Sequence, residues 1–234
     1  MLDLNTEKGR YISAALALAG ETPWRDVTLA DIAARAGATL VGLKEQFSSK
    51  SEILAAFTDM VNDEVLVRAP KREEGQGKRD ALFEVVMSRF DVLQPWKGAL
   101  RSIARSGSPD PAQLARGLAA NRWMLEAAGI GSGGLEGLAR TAGLASVYGS
   151  VFQTWLEDDD PGLSRTMAAL DRRLRRGERT LTRADDVISG MRRVAGAFCG
   201  AARGVRSRVD EARNGLRPGE APGHREQPST PPAV

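Results

Sequence analysis

The chain has 234 residues, 42% of them apolar and 27% charged, with a formal net charge of +3, ordinary values for a folded protein long enough to bury a substantial core. Its one cysteine, Cys199, excludes an intramolecular disulfide and suits a reducing compartment. Its one histidine, His224, falls in a terminal Pro/Gly-rich segment, which excludes a His-based triad or zinc site in the body. The opening MLDLNTEKGR lacks the basic-then-apolar order of a signal peptide, and no stretch reaches the ~20 apolar residues of a membrane helix.

Ala14-Ala15-Leu16 and Leu18 predict a first helix, with Trp24 following after a short turn. From Thr28 to Lys50 the pattern sharpens. Thr28 is placed to N-cap a helix, its hydroxyl accepting a free backbone N–H of the first turn. Leu29, Ile32, Ala33 and Ala36 then recur on one face. Gly37 ends that helix, since glycine reaches the left-handed conformation at least steric cost. Thr39 caps a second short helix in which Leu40, Leu43 and Phe47 are apolar, and Ser51, with Glu52 close behind, opens a third. Two small helices joined at a glycine form a helix-turn-helix, whose second helix fits a DNA major groove.

The stretch from Ile12 to Phe57 resembles the N-terminal domain of TetR/AcrR-type transcriptional regulators. Val27-Thr28-Leu29, Asp31-Ile32-Ala33, Ala36-Gly37, Leu43, Phe47, Ser49-Lys50 and Ile53-Leu54 carry the resemblance at fixed offsets. It implies an all-α protein: a three-helix helix-turn-helix domain, then a larger helical domain that binds a ligand and dimerises. Double-stranded operator DNA, a second copy of the chain and a small apolar effector are the implied partners, repression of transcription in the cytoplasm the implied activity. No enzyme and no cofactor are expected. Thr28, Thr39, Leu40, Val41, Lys44, Gln46 and Lys50 are the candidate DNA contacts. Two positions depart from the family, which usually has tyrosine where Lys44 stands and histidine where Gln46 stands, both against the DNA backbone. A lysine still neutralises a phosphate and a glutamine still hydrogen-bonds one. Glu45 between them suits a cytosine amino group but repels phosphate. Leu40 and Val41 either meet thymine methyls or pack. Residues 1–68 carry 7 Lys/Arg against 10 Asp/Glu, an unexpectedly acidic balance for a partner whose non-specific affinity comes from phosphate neutralisation.

Beyond the head, a connecting helix is expected to about Arg68, with Ile53, Leu54, Phe57, Val61 and Val65 buried. PKREEGQG at 70–77 reads as a loop. Residues 78–93 form an amphipathic helix through Leu82, Val85, Val86, Met87, Phe90 and Leu93. Pro95 opens another helix to about Ser106, and Ser108-Pro109 the next, reaching about Gly129. GIGSGG at 129–134 lacks the Lys-Ser/Thr of a phosphate-binding loop and reads as a connection. A long small-residue helix covers 135–158, and Asp160-Pro161 restarts the chain as N-cap and first position, with Leu163, Met167, Leu170 and Leu174 at helical spacing. Glu157 to Asp160 lacks the spacing of a calcium loop and reads as a solvated cap. By the resemblance these last two helices lie where the family dimerises through a four-helix bundle. Met87, Phe90, Trp96, Trp123, Met124, Phe152 and Trp155 are the pocket candidates, each with core packing as its alternative role.

Residues 184–209 read as a basic amphipathic helix of a kind that packs on the body or lies on a membrane surface, and residues 212–234 as a disordered tail. The predicted organisation is thus a head over 1–50, a helical body over 51–180, then these two segments. The stretch VYGSVFQTWLEDDDPGLSRTMAALDRRL, with Trp155, Asp158-Asp159-Asp160 and Leu170-Asp171-Arg172-Arg173, also resembles the C-terminal part of ubiquinone-biosynthesis accessory proteins. Those share the TetR fold, bind isoprenoid lipids and end in an amphipathic membrane helix. That resemblance implies, as an alternative, a non-enzymatic lipid-binding protein in peripheral membrane contact.

Overall fold

The computed structural model describes residues 4–70, 74–107 and 111–178, and all regular structure among them is helical. Cys199, His224, the segment 184–209 and the tail 212–234 lie outside the described residues. Three helices form the head: α1 (Glu7–Glu21), α2 (Leu29–Arg35) and α3 (Leu40–Gln46). The long α4 (Lys50–Arg68) leads out of it. The body adds α5 (Lys78–Leu93), α6 (Lys97–Arg105), α7 (Pro111–Ala127) and α8 (Gly134–Leu156), followed by α9 over 164–178.

The head's helices begin where a hydroxyl meets a free amide. Thr6 accepts from the Gly9 amide at 3.0 Å and Thr39 from that of Gly42 at 3.1 Å. Thr28 and Asp31 form a reciprocal capping box. Ser49 caps α4, accepting from the Glu52 amide at 3.2 Å, so Lys50 rather than Ser51 is its first helical residue. Gly37 has φ +66°, the left-handed value expected of the turn between α2 and α3.

Tyr11, Ile12, Leu16, Ile32, Leu43 and Phe47 are buried together in the head. The core continues along α4 through Phe57, Val61 and Val65 into the body, where Val86, Phe90, Met124, Val151, Trp155 and Leu170 are buried. An aromatic ladder lines this second part. The rings of Phe90 and Tyr148 stack at 5.5 Å, Tyr148 and Phe152 at 5.9 Å, and Phe90 and Trp155 at 5.4 Å.

The structure departs from the sequence reading at two further boundaries and in the acidic run. Pro95 lies in a 3₁₀ turn over Gln94–Trp96, and α6 begins only at Lys97. Pro161 does not open the last helix. Residues 161–162 form a turn, Leu163 adopts φ 51°, and α9 starts at residue 164. Asp160 still caps, accepting from the Gly162 and Ser164 amides, both at 3.1 Å. Nor is the acidic run solvated throughout. Asp158 is 1% exposed, because its carboxylate accepts the Thr166 hydroxyl at 2.7 Å and the Thr166 amide at 2.8 Å.

Candidate DNA-reading head and its link to the body

Helix α3 shows two faces. Leu43, 1% exposed, and Phe47, 3%, anchor it in the head, with Phe47 edge-on to Tyr11 at 6.3 Å. A Cβ on Gly42 would lie 3.0 Å from the Tyr11 hydroxyl, so a glycine there lets the helix sit close. On the other face Leu40 is 52% exposed and Val41 67%. Both are therefore available to a groove rather than committed to the core. Lys44 and Glu45 are exposed beside them, and Thr28 and Thr39 are exposed while capping their helices.

The remaining candidates are partly engaged. Gln46 donates to Glu7 at 3.5 Å. Lys50 donates to the Trp24 carbonyl at 2.8 Å and the Val27 carbonyl at 2.6 Å, with its ammonium 4.7 Å from the centre of the Trp24 ring. Burial lowers its pKa, opposed by the charge of Asp26. Lys50 thus ties the start of α4 to the loop before α2.

Several head carboxylates are satisfied within the head. Asp31 accepts the Thr28 hydroxyl and amide, and those bonds hold its pKa down. Glu52 accepts the Ser48 amide and hydroxyl, both at 2.7 Å, with the same effect. Glu21 pairs with the Arg35 guanidinium through both oxygens, which lowers its pKa too. These bonds hold the three carboxylates in their charged form, so the head keeps its acidic balance.

A link between head and body runs through α6, and sequence reading missed it because its members are ordinary polar residues. The Ser102 hydroxyl accepts the Trp24 amide at 3.1 Å. One residue earlier, Arg101 donates to the Leu156 carbonyl at 2.8 Å and pairs with Asp159 at 3.1 Å. Lys97 donates to the Asp158 carbonyl. The Trp155 indole donates to Gln94, just before α6, at 3.1 Å. Helix α6 therefore holds the head on one side and the end of α8 on the other.

The seven pocket candidates lie in different surroundings. Met87 lines a cleft of about 550 Å³ with Phe83, Asp91, Leu163 and Met167. Phe90, Phe152 and Trp155 belong to the aromatic ladder. Trp96 meets Phe57 edge-on at 5.4 Å, Met124 is buried, and Trp123 is 55% exposed.

A capped helix-turn-helix with an open second helix, carried on a helical body, defines the class: a DNA-binding regulator. Residues 12–57 match the model of the bacterial regulatory proteins of the tetR family. Residues 12–57 thus form a domain of the tetR-family N-terminal type. The fold of the chain resembles the TetR transcriptional regulator from Nitrosomonas europaea ATCC 19718, with TM-score 0.59 and 22% identity over 74% of this chain and 98% of that one. It also resembles a TetR transcriptional regulator from Rhodococcus sp. RHA1, with TM-score 0.55 and 22% identity over 72% and 93% of the two chains. Among curated proteins none matches the sequence. No described helix is long and apolar enough to cross a membrane.

Proposed function

We propose that the chain is a cytoplasmic, non-catalytic repressor that binds a two-fold operator as a homodimer and leaves it when a small, largely apolar effector enters the body. The observation that carries this reading is the exposure of Leu40, Val41 and Lys44 on a helix whose opposite face is fixed by Leu43 and Phe47. Lys44 neutralises a phosphate, and Leu40 and Val41 meet base edges and thymine methyls. Dimerisation through α8 and α9 is supported by apolar groups left open there, Leu138 at 67% and Met167 at 38% exposure. It brings two heads to one operator, as half-site recognition requires.

Release needs an effector that prefers the DNA-incompetent arrangement, since equal affinity for both states shifts nothing. Trp155 contacts Phe90 and bonds Gln94, and α6 follows directly and holds Trp24. A ligand that displaces the ladder therefore acts on the element that supports the head. The family match favours this reading over the lipid-binding alternative.

Fluorescence anisotropy against DNA from upstream of the protein's own gene, at low and physiological salt with scrambled competitor, tests the proposal. Binding that survives competition supports it. Binding equal to scrambled DNA and lost with salt removes sequence-specific recognition of that region.

A further inference from the structure

Among the described residues Arg89 is a buried cation without a matching anion. It lies on α5 among Val85, Val86, Phe90 and Leu93 and is 6% exposed. Its Nε donates to the Tyr148 hydroxyl at 3.0 Å and its Nη1 to Asn62 Oδ1 at 2.6 Å. Both acceptors are neutral. The guanidinium carbon lies 5.6 Å from the centre of the Tyr148 ring. Among the described residues no carboxylate pairs with Arg89 and no group accepts from its Nη2. Taking a guanidinium out of water carries a large desolvation penalty, which two neutral acceptors offset only in part. If its only role were to brace α4, α5 and α8, an apolar side chain of similar length would serve as well or better.

The surroundings suit a particular visitor. Tyr148, which accepts from Arg89, starts the ladder that continues through Phe152 to Trp155. Asn62, Tyr148 and Phe152 are each only half-buried, so the charged end and the adjoining rings lie near the open side of the core. A guanidinium fork matches the paired oxygens of a carboxylate or phosphate, and aromatic rings flank an apolar body.

We infer that the effector carries an oxyanion, carboxylate or phosphate, on an apolar or aromatic body, and that Arg89 is its counter-ion with Tyr148 and Phe152 beside the body. This rests on the reading of the body as an effector domain and names the chemistry it selects. The anion supplies the counter-charge missing beside Arg89, and the ladder passes the change to Trp155 and α6.

The test titrates the full chain, by tryptophan fluorescence, with decanoate, decyl phosphate and naphthalene-2-carboxylate. Each is set beside its neutral alcohol and its amine, and the series is repeated with Arg89→Met and Arg89→Lys. At least one anion should bind about tenfold more tightly than its neutral and cationic analogues. That preference should vanish in Arg89→Met and survive in part in Arg89→Lys. The split between carboxylate and phosphate tells which head group is meant. Equal binding of alcohol and acid, no saturable binding of any anion, or undiminished preference in Arg89→Met overturns the inference. Should Arg89→Met fail to fold, a preference in Arg89→Lys equal to wild type overturns it instead. Operator anisotropy on the same samples separates the two levels. Anion selectivity without DNA binding removes the repressor reading alone, and DNA binding without anion selectivity removes this inference alone.

Discussion

The Ser102 hydroxyl accepts the backbone amide of Trp24 across a sequence separation of 78 residues. The same hydroxyl reaches the Thr22 carbonyl at 3.4 Å. One serine on α6 thus serves as acceptor and donor for the loop that joins α1 to α2. Through Arg101 and Lys97 the same helix is fastened to the end of α8.

Ser102→Ala leaves the Trp24 amide without its acceptor, and Trp24 itself is 7% exposed. An unsatisfied, part-buried amide costs about 1–2 kcal/mol, read as a lowered urea midpoint. Coupling should suffer as well: DNA binding without effector persists, while an effector releases the operator less completely. Full release by the Ser102→Ala protein would move the route of coupling away from α6.

The two lysines of the candidate interface should separate cleanly. Lys44 is exposed, so Lys44→Ala should leave stability near wild type, weaken binding to all sequences, and reduce the salt slope by about one. Lys50 bonds two carbonyls, so Lys50→Ala should destabilise the head by about 1–3 kcal/mol before any DNA effect is considered. Denaturation and salt-dependent anisotropy on both variants decide. A Lys50→Ala protein as stable as wild type with a reduced slope would reassign Lys50 to the phosphate backbone.

How far the sequence spoke can be judged residue by residue. The caps Thr28 and Thr39, the Gly37 turn and the 78–93 helix were readable because each follows from local chemistry: a hydroxyl near free amides, a left-handed turn, an apolar period. Local patterns say nothing of a partner far along the chain, so Ser102 with Trp24 and Asp158's role beside Thr166 stayed hidden. Pro161 misled because proline suits a first helical turn, whereas Leu163 at positive φ moves the start of α9 to residue 164. Arg89 left a trace. It falls between Val85, Val86 and Leu93 on the apolar face of α5, where a charge is out of pattern. Residue type alone does not separate Trp155, fully buried, from Trp123, more than half exposed.

Leu40 and Val41 allow a test of specificity apart from affinity. Both are exposed, so Leu40→Ala and Val41→Ala should change stability by no more than about 0.5 kcal/mol. Neither touches charge, so the salt slope should stay at its wild-type value. What should fall, severalfold, is the ratio of operator to scrambled-DNA affinity, because a methyl contact reads a base and a phosphate contact does not. An unchanged ratio in both variants would mean that α3 does not present these residues to the groove.

Acid should weaken the body through Asp158. Burial raises the pKa of this carboxyl, but the bonds from the Thr166 hydroxyl and amide outweigh burial and hold it below its ordinary value. A group whose pKa is lowered by folding contributes its full stability above the unfolded value, about 4, and loses it as pH falls through the lowered folded value. The urea midpoint should therefore be level from about pH 7 to about pH 5 and decline below about pH 4, with Asp160, lowered chiefly by Ser164, adding to the slope. Asp158→Ala should cost about 2–3 kcal/mol at neutral pH, the range for hydrogen bonds to a charged acceptor. Its acid limb should be shallower than that of the wild type, since one titrating contributor is gone. Asp158→Asn keeps an acceptor oxygen but no charge, and should fall between the two. If wild type and Asp158→Ala lose stability in parallel across the whole acid range, Asp158 does not hold the start of α9 as a carboxylate. The acid response would then belong to the other carboxylates that their hydrogen bonds hold down, Asp160 and Glu126 in the body and Asp31 and Glu52 at the head.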